Sequence, residues 1–452
     1  MRLLPFFVTL VICGWVCADT TKHPNIVLIM ADDIGYECLS CYGSEMYSTP
    51  NIDKLADSGI RFNHAHSQPI CTPSRVQIMT GIYNNRNYVK FGVLDPEVKT
   101  IGNYMKNAGY KTCIAGKWQL AGGFEGPVKF GFEKYCLWQL TRRPSRYPNP
   151  GLEIDGVTKD FKDGSFGPDV VVDYIQNFIT ENKDDPFFVY YPMIAPHWPF
   201  VPTPDHPDWD PMMWRDTTNE PGGYKDQKYW EAMVRYTDKM VGRVVDHLEK
   251  TGLRDNTLVI WTGDNGTYTG VTSQFQGEKY VGGKGSPKDA GTHVGFVASC
   301  PALFEGGQVR DDLVDFSDLL PTVVDIAGGE IPDGLDGTSL APVFRGEERK
   351  KDYIYCWYER DGQRHKASQH TRNQRYKLYS NGKLFDTIND RLEKNDLSAN
   401  QDHEVFQNDY PLLKAALDKH TAITSKMDPV QAEKRKVLTR GTKKQAKKKK
   451  KE

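Results

Sequence analysis

The sequence predicts an α/β fold: one large, mostly parallel sheet flanked by helices, with a smaller α+β subdomain near the C-terminus. Three observations predict it. Short apolar runs of strand length recur along the chain. Stretches with helical spacing, bounded by capping residues, proline and glycine, alternate with them. Beyond about Asp352 the pattern changes to short segments broken by turns. A chain of 452 residues is long enough to bury a sizeable core and to add a smaller unit to it.

At the N-terminus, Arg2 precedes an apolar run from Leu3 to about Cys17, and Val16-Cys17-Ala18 then leads into polar Asp19-Thr20-Thr21-Lys22. That is the pattern of a secretory signal peptide over residues 1–18, too short for a membrane span, and it predicts a secreted or periplasmic protein. No later stretch is long and apolar enough to cross a bilayer. Residues 25–30 form a continuous apolar run, read as a strand buried on both faces, which ends in Asp32 and Asp33. Residues 49–59 read as a helix with a Thr49 cap, Pro50 in the first position and a closing Gly59. Residues 74–80 have helical spacing and stop at Gly81. Cys71 is therefore expected just before a helix N-terminus, a position that lowers a thiol pKa and suits anions.

A helix over 100–108 leads into a strand over 110–115, which delivers Lys117, Trp118 and Gln119. Helical spacing returns at 170–181, and a strand at 186–191 runs into Ala195-Pro196-His197. The longest helix, 231–250, precedes a strand at 257–262 whose exit carries Asp264 and Asn265. Residues 273–291 are glycine-rich and polar, and read as a loop around Lys284. A strand over 292–299 and a helix over 316–327 complete the alternation. Short antiparallel strands and an amphipathic helix near 410–421 make up the rest. The expected division is a main domain over 19–350, a subdomain over 351–430 and a basic, disordered tail over 431–452.

Eleven of the 58 basic residues lie in 434–451, and only Glu452 of the acids lies beyond 433, so residues 1–433 carry 47 basic against 58 acidic side chains, a net of −11. A basic tail binds any polyanion and implies no specific nucleic acid. Of nine cysteines, Cys13 and Cys17 fall in the leader; Cys38, Cys41, Cys113, Cys136, Cys300 and Cys356 follow neither a disulfide scaffold nor a zinc-finger spacing. Cys38-x-x-Cys41 reads as a redox pair, a metal half-site or two free thiols.

Four strand exits carry ionisable or polar groups: Asp32 with Asp33, Lys117, His197, and Asp264 with Asn265. In open parallel sheets, ligands bind outside the carboxyl ends of the strands, so groups far apart in sequence can meet there. Three carboxylates and an amide offer only oxygen ligands, which favours Ca2+, with Mg2+ second, over zinc. Lys117 and Lys284 beside such a cation would form an anion pocket, and His197 could donate a proton to a leaving group. Asn265-Gly266-Thr267 is a glycosylation sequon, but a glycan would block the proposed ligand, so Asn265 is expected to be unmodified.

The pentapeptide Cys71-Thr72-Pro73-Ser74-Arg75 resembles the signature at which type I sulfatases have their cysteine oxidised to formylglycine. From Asn25 to about Leu397 further motifs resemble that family in its order: the Asp32-Asp33 strand, Gly116-Lys117-Trp118, Ala195-Pro196-His197, Gly263-Asp264-Asn265-Gly266 and Gly282-Gly283-Lys284-Gly285. The resemblance implies an alkaline phosphatase-like fold, a formylglycine-generating maturation enzyme and hydrolysis of a sulfate monoester. It implies that the hydrated aldehyde at Cys71 attacks sulfur with one hydroxyl and expels sulfate with the other. It implies that Arg75 stabilises residue 71, that Lys117, Lys284 and His197 hold the sulfate, and that Asp32, Asp33, Cys71, Asp264 and Asn265 hold Ca2+. The family carries histidine two residues after the lysine of Gly-Lys-Trp, and this chain has Gln119, which hydrogen-bonds but cannot take a proton near neutral pH. His293 stands where many relatives carry arginine. Export favours a sulfated carbohydrate substrate over a simple aryl sulfate. A phosphomonoester or phosphonate hydrolase and a weakly active sulfated-glycan binding protein are the alternatives. Loops 120–167 and 203–229 are expected to shape the pocket, with Trp138, Trp209 and Trp214 as candidate sugar-stacking residues.

Overall fold

The structure, a computed structural model, describes residues 23–212 and 227–449, with side chains to Thr439. The expected signal peptide and Trp214 lie outside the described residues. The strands in chain order are β1 (Asn25–Ala31), β2 (Ile60–His66), β3 (Lys111–Lys117), β4 (Lys134–Trp138), β5 (Gly151–Ile154), β6 (Val157–Asp160), β7 (Phe187–Pro192) and β8 (Thr257–Gly263). They continue with β9 (Thr272–Phe275), β10 (Glu278–Val281), β11 (His293–Ser299), β12 (Gln308–Asp315), β13 (Ile354–Tyr358), β14 (Ser368–Arg372), β15 (Tyr376–Tyr379) and β16 (Leu384–Asp386). Ten of them form one sheet in the order β12-β2-β11-β8-β1-β7-β3-β4-β5-β6.

The centre of this sheet is parallel because its strands are apolar on both faces and must be covered on both. Ile26, Leu28 and Met30 of β1 face one core, shared with Val76, Ile101 and Leu320 of the helices Cys71–Thr80, Ile101–Asn107 and Leu319–Ile326. Val27, Ile29 and Ala31 face the other, with Val171 and Ile175 of the helix Gly167–Glu181 and Met240 and Val244 of Trp230–Lys250. β7 and β8 flank β1 in parallel, Met30 opposite Pro192 and Ala31 opposite Gly263, so their carboxyl ends are level.

Several elements differ from the sequence expectation. β11 is antiparallel to both β8 and β2, and β4, β5 and β6 form an antiparallel edge, so the sheet is mixed around its parallel centre. The segment 273–291, expected as a loop, includes the antiparallel pair β9–β10, joined by Gln276 and Gly277 at φ 50° and 79°, the left-handed pair a tight hairpin turn requires. The helix expected from residue 74 begins at Cys71, with Ile70 as its cap. Pro73 falls in the first turn, where its missing N–H removes no helical hydrogen bond.

The C-terminal unit is the antiparallel sheet β13-β14-β15-β16, followed by a helix over Tyr410–Lys449. That helix was expected to end near 421 and residues 431–452 to be disordered; the chain is helical to Lys449. Leu413 and Leu417 dock its first turns in the core, Lys434 Nζ reaches Asp95 Oδ2 at 2.5 Å, and the Lys-, Arg- and Ala-rich continuation has high helix propensity. Among the described residues no helix is long and apolar enough to cross a membrane. Cys38 and Cys41 are both free thiols, Cys38 buried against the Thr267 hydroxyl at 3.4 Å.

Candidate active site

The level strand ends bring the acidic residues together. Asp264 donates its N–H to the Ala31 carbonyl at 2.8 Å, and Asp33 donates its N–H to Asp264 Oδ1 at 2.9 Å. Asn265 Nδ2 donates to Asp33 Oδ1 at 3.0 Å. Asp33 adopts φ 70°, a left-handed conformation that costs a non-glycine residue on the order of 1 kcal/mol and turns the chain sharply at the strand exit.

The cations arrive from three directions. Gly116, at φ 126°, lies against β7 so closely that a Cβ would stand 1.9 Å from the Pro192 carbonyl oxygen. This contact presents Lys117, whose Nζ bonds Asp32 Oδ1 and Oδ2 at 2.9 and 2.7 Å. Lys284 reaches Asp33 Oδ2 at 2.5 Å from the segment after the β9–β10 hairpin. Arg75 donates to the Lys117 carbonyl at 2.8 Å and lies 3.4 Å from Asp264 Oδ2. His197 Nδ1 donates to the Trp198 carbonyl, which directs Nε2 toward Asp33 Oδ2 at 3.5 Å. Gln119, at φ 59°, accepts a hydrogen bond from Thr72 Oγ1 at 3.1 Å and so stands beside the residue that follows Cys71.

Cys71, Asp32 and Asp264 present ligand atoms within 4.8 Å of one another, as do Asp32, Asp33 and His197. The Asn265 Oδ1 atom is buried and has no hydrogen-bond partner among the described residues. A ring of carboxylate oxygens with an orphaned amide oxygen fits a hard divalent cation. The structure thus brings together Asp32, Asp33, Cys71, Arg75, Lys117, His197, Asp264, Asn265 and Lys284, with Gln119 beside Thr72. Asn265 is 0% exposed, with its amide engaged by Asp33, which leaves no room for a glycan on the sequon.

The charges shape one another. Burial would raise the Asp32 carboxyl, but Lys117, His197, Arg75 and Lys284 together hold it well below the usual carboxylate range. Burial, reinforced by the Asp32 charge, pushes Asp264 well up. Burial works against the Lys284 ammonium, yet Asp33 outweighs it and raises that pKa. Burial and the Lys284 charge lower His197 well below its ordinary value. At Cys71 the expectation of a lowered thiol pKa is reversed: burial at 2% exposure raises it, against the pull of Lys117.

Other residues join the site beside those expected. Ser74 Oγ donates to the Asp264 carbonyl at 2.5 Å and latches the Cys71 helix to the β8 exit. Thr267, the sequon threonine, accepts the Gly35 N–H at 2.9 Å. Arg146 is 1% exposed, with its guanidinium 3.9 Å from the centroid of the Trp138 ring and Nη1 3.7 Å from Asp32 Oδ2. Trp138 is consequently covered by Arg146 and donates Nε1 to the Pro144 carbonyl at 3.0 Å, so it offers no free face to a sugar. Trp209 packs edge-on against Phe166 at 5.3 Å. His293 stacks on Tyr36 at 3.9 Å and bonds Asp289 Oδ2 and the Asn63 carbonyl, away from the carboxylate cluster. The segment after β4 also borders a cavity of about 560 Å3 lined by Arg142, Ser145, Asn149, Phe161 and Lys162.

A parallel-centred sheet flanked by helices, whose strand ends gather acids, lysines and a helix-starting cysteine, gives the molecule the alkaline phosphatase-like α/β fold. Within that class, the family model described as Sulfatase matches residues 24–329, and the model described as N-sulphoglucosamine sulphohydrolase, C-terminal, matches residues 288–421. The chain belongs to the sulfatase family, enzymes that hydrolyse sulfate esters. It is 30% identical to human Arylsulfatase A over 72% of this chain and 68% of that protein. It is 25% identical to N-acetylglucosamine-6-O-sulfatase of Bacteroides thetaiotaomicron over 80% of this chain and 79% of that one. The crystal structure of Ps i-CgsB in complex with k-i-k-neocarrahexaose superposes with a TM-score of 0.72 at 27% identity, covering 90% of this chain and 98% of that one.

Proposed function

We propose that the protein is an exported carbohydrate sulfatase that acts through a formylglycine made from Cys71 and a bound Ca2+. The observation that carries this reading is the position of Cys71: the first residue of a buried helix, in one ligand cluster with Asp32 and Asp264. Oxidised by a maturation enzyme, residue 71 would supply a hydrated aldehyde as the oxygen nucleophile. Asp32, Asp33, Asp264, Asn265 and residue 71 would hold Ca2+, with Mg2+ second, and the cation would supply positive charge opposite the sulfate oxygens.

The chain's own residues do the rest. Lys117 and Lys284, held beside the cluster by Asp32 and Asp33, present two ammonium groups that would take the ester oxygens. Arg75, fixed by the Lys117 carbonyl and Asp264, sets its positive charge beside residue 71 and favours an ionised oxygen there. His197 donates its Nδ1–H to the Trp198 carbonyl and faces the acidic cluster through Nε2, which would hand a proton to the departing alcohol only as the imidazolium, a form that burial disfavours. Gln119 adds a neutral amide to the wall.

Relatives whose names specify a sugar sulfate support a carbohydrate substrate, and the leader pattern of residues 1–18 supports export. The test is to express the chain with a maturation enzyme, measure the mass of the peptide containing residue 71, and assay sulfate release from sulfated monosaccharides against matched phosphate esters. An aldehyde with preferential sulfate release is expected. A larger rate on phosphate overturns the choice of ester, and a persistent thiol with tight glycan binding and no turnover identifies a binding protein.

A further inference from the structure

We propose that the basic end of the C-terminal helix, from Lys434 to Lys449, is a docking arm for an extended sulfated polysaccharide, one unit of which enters the site beside it. The inference rests on the sulfatase reading and deepens it: the substrate is a polyanionic chain rather than a single sugar. Nine Lys and Arg residues and no acid lie in 434–449, whereas residues 1–433 carry a net of −11. Positive charge is thus concentrated on one element of an otherwise acidic chain, and that element is where a polyanion is drawn.

The arm is rooted at the wall of the active site. Asn85 Nδ2 donates to Thr424 Oγ1 at 3.1 Å, Gln431 Nε2 donates to the Arg86 carbonyl, and Lys434 Nζ reaches Asp95 Oδ2 at 2.5 Å, so the helix lies along residues 85–95. That segment in turn closes on the site. The Gly92 N–H donates to Thr72 Oγ1 at 3.2 Å, and the Leu94 N–H donates to the Leu120 carbonyl at 3.2 Å. Thr72 follows Cys71 and holds Gln119, so one short loop separates Lys434 from the residues around Cys71.

Past this root, Lys436 and Val437 are exposed, and the helix runs on to Lys449, about 22 Å beyond Lys434 and longer than any single sugar. Lys436 and Arg440, Arg440 and Lys444, Lys443 and Lys447, and Lys444 and Lys448 stand four positions apart on it. Like charges at that spacing weaken a helix, and a polyanion laid along them relieves the repulsion while shedding its own counterions. The composition also selects among polyanions. Val437, Leu438 and Ala446 are the only apolar residues besides glycine in 434–449, too few for the apolar face with which a helix lies in a membrane surface. The segment holds no aromatic residue on which a nucleic-acid base could stack. A sulfated polysaccharide needs neither feature, and it alone also suits a neighbouring site that takes a sulfate ester.

The experiment uses the full, matured, Ca2+-loaded protein, a variant carrying K443Q, K444Q, K447Q, K448Q and K449Q together, and a second variant with Lys→Arg at the same five positions. The probes are dextran sulfate, uncharged dextran of equal length, duplex DNA and phosphatidylserine vesicles. Dextran sulfate is expected to bind the parent in strong preference to dextran. It is expected to bind the glutamine variant on the order of 10-fold or more less tightly, with a shallower salt dependence, and the arginine variant as tightly as the parent. It is also expected to inhibit sulfate release from a sulfated monosaccharide, with an inhibition constant that rises by a similar factor in the glutamine variant. Equal affinity of parent and glutamine variant overturns the proposal, as does binding without inhibition, which would turn the arm away from the site. Tighter binding to DNA or to vesicles than to dextran sulfate overturns the choice of partner. If the parent releases no sulfate from any ester, the sulfatase reading fails, while the affinities still decide whether the arm binds a sulfated chain.

Discussion

Gln119 commits its amide oxygen to Thr72 and sits in a strained left-handed conformation, so its side chain is aimed rather than free. Histidine at this position would add a group titrating near pH 6.5. The Q119H variant is expected to show an additional inflection in the pH dependence of kcat, absent from the parent; identical profiles would mean that residue 119 does not face the chemistry. At this scale the acids and Lys117 were legible in the sequence because each follows a recognisable strand, and so could be placed at the same end of a sheet; Cys71 was legible as a helix start, and Lys284, in a stretch read as a loop, only through its glycine-rich motif. Arg146 and Ser74 were not. An arginine in a proline- and arginine-rich loop reads as solvated surface, and a serine in a helical turn gives no sign that its hydroxyl will meet the Asp264 carbonyl, 190 positions away.

At the scale of elements, the site depends on strands that end together. Gly116 lies hard against the end of β7, and G116A would place a methyl group on the Pro192 carbonyl. That variant is expected to lose at least about 2 kcal/mol of stability in denaturant unfolding and most of its activity, because Lys117 moves with β3. The same convergence crowds three buried carboxylates, so Ca2+ at about 100 times its dissociation constant should stabilise the fold by about 2.7 kcal/mol, read as a rise in melting temperature that a chelator reverses. Apolar strands such as β1, β7 and β8 announce themselves; β2 does not, because Arg61 and Asn63 interrupt its apolar pattern where it is half exposed. The β9–β10 hairpin escaped notice because its turn is Gln276-Gly277 rather than the more telling Asn-Gly or Asp-Gly.

At the scale of the molecule, the C-terminal sheet braces the segment that follows Lys284. Lys377 of β15 reaches Glu393 at 3.0 Å and the Pro287 carbonyl at 2.5 Å, Glu393 accepts the Asp289 N–H at 2.7 Å, and Arg372 of β14 pairs with Asp289. These contacts fasten the segment just after Lys284. K377M would leave Glu393 buried and unpaired at a cost of about 3–5 kcal/mol, and is expected to raise KM as well as lower the unfolding free energy; a change in stability alone would show that the two units are only neighbours. The burial of Cys71 sets an order of events. At 2% exposure on a buried helix, Cys71 lies too deep in the finished fold for another enzyme's active site to enclose its peptide, so oxidation of its thiol is expected while the chain is still open. Co-expression with the maturation enzyme should convert residue 71, whereas adding the same enzyme to purified, folded thiol protein should not, and the window for that oxidation closes when the fold does.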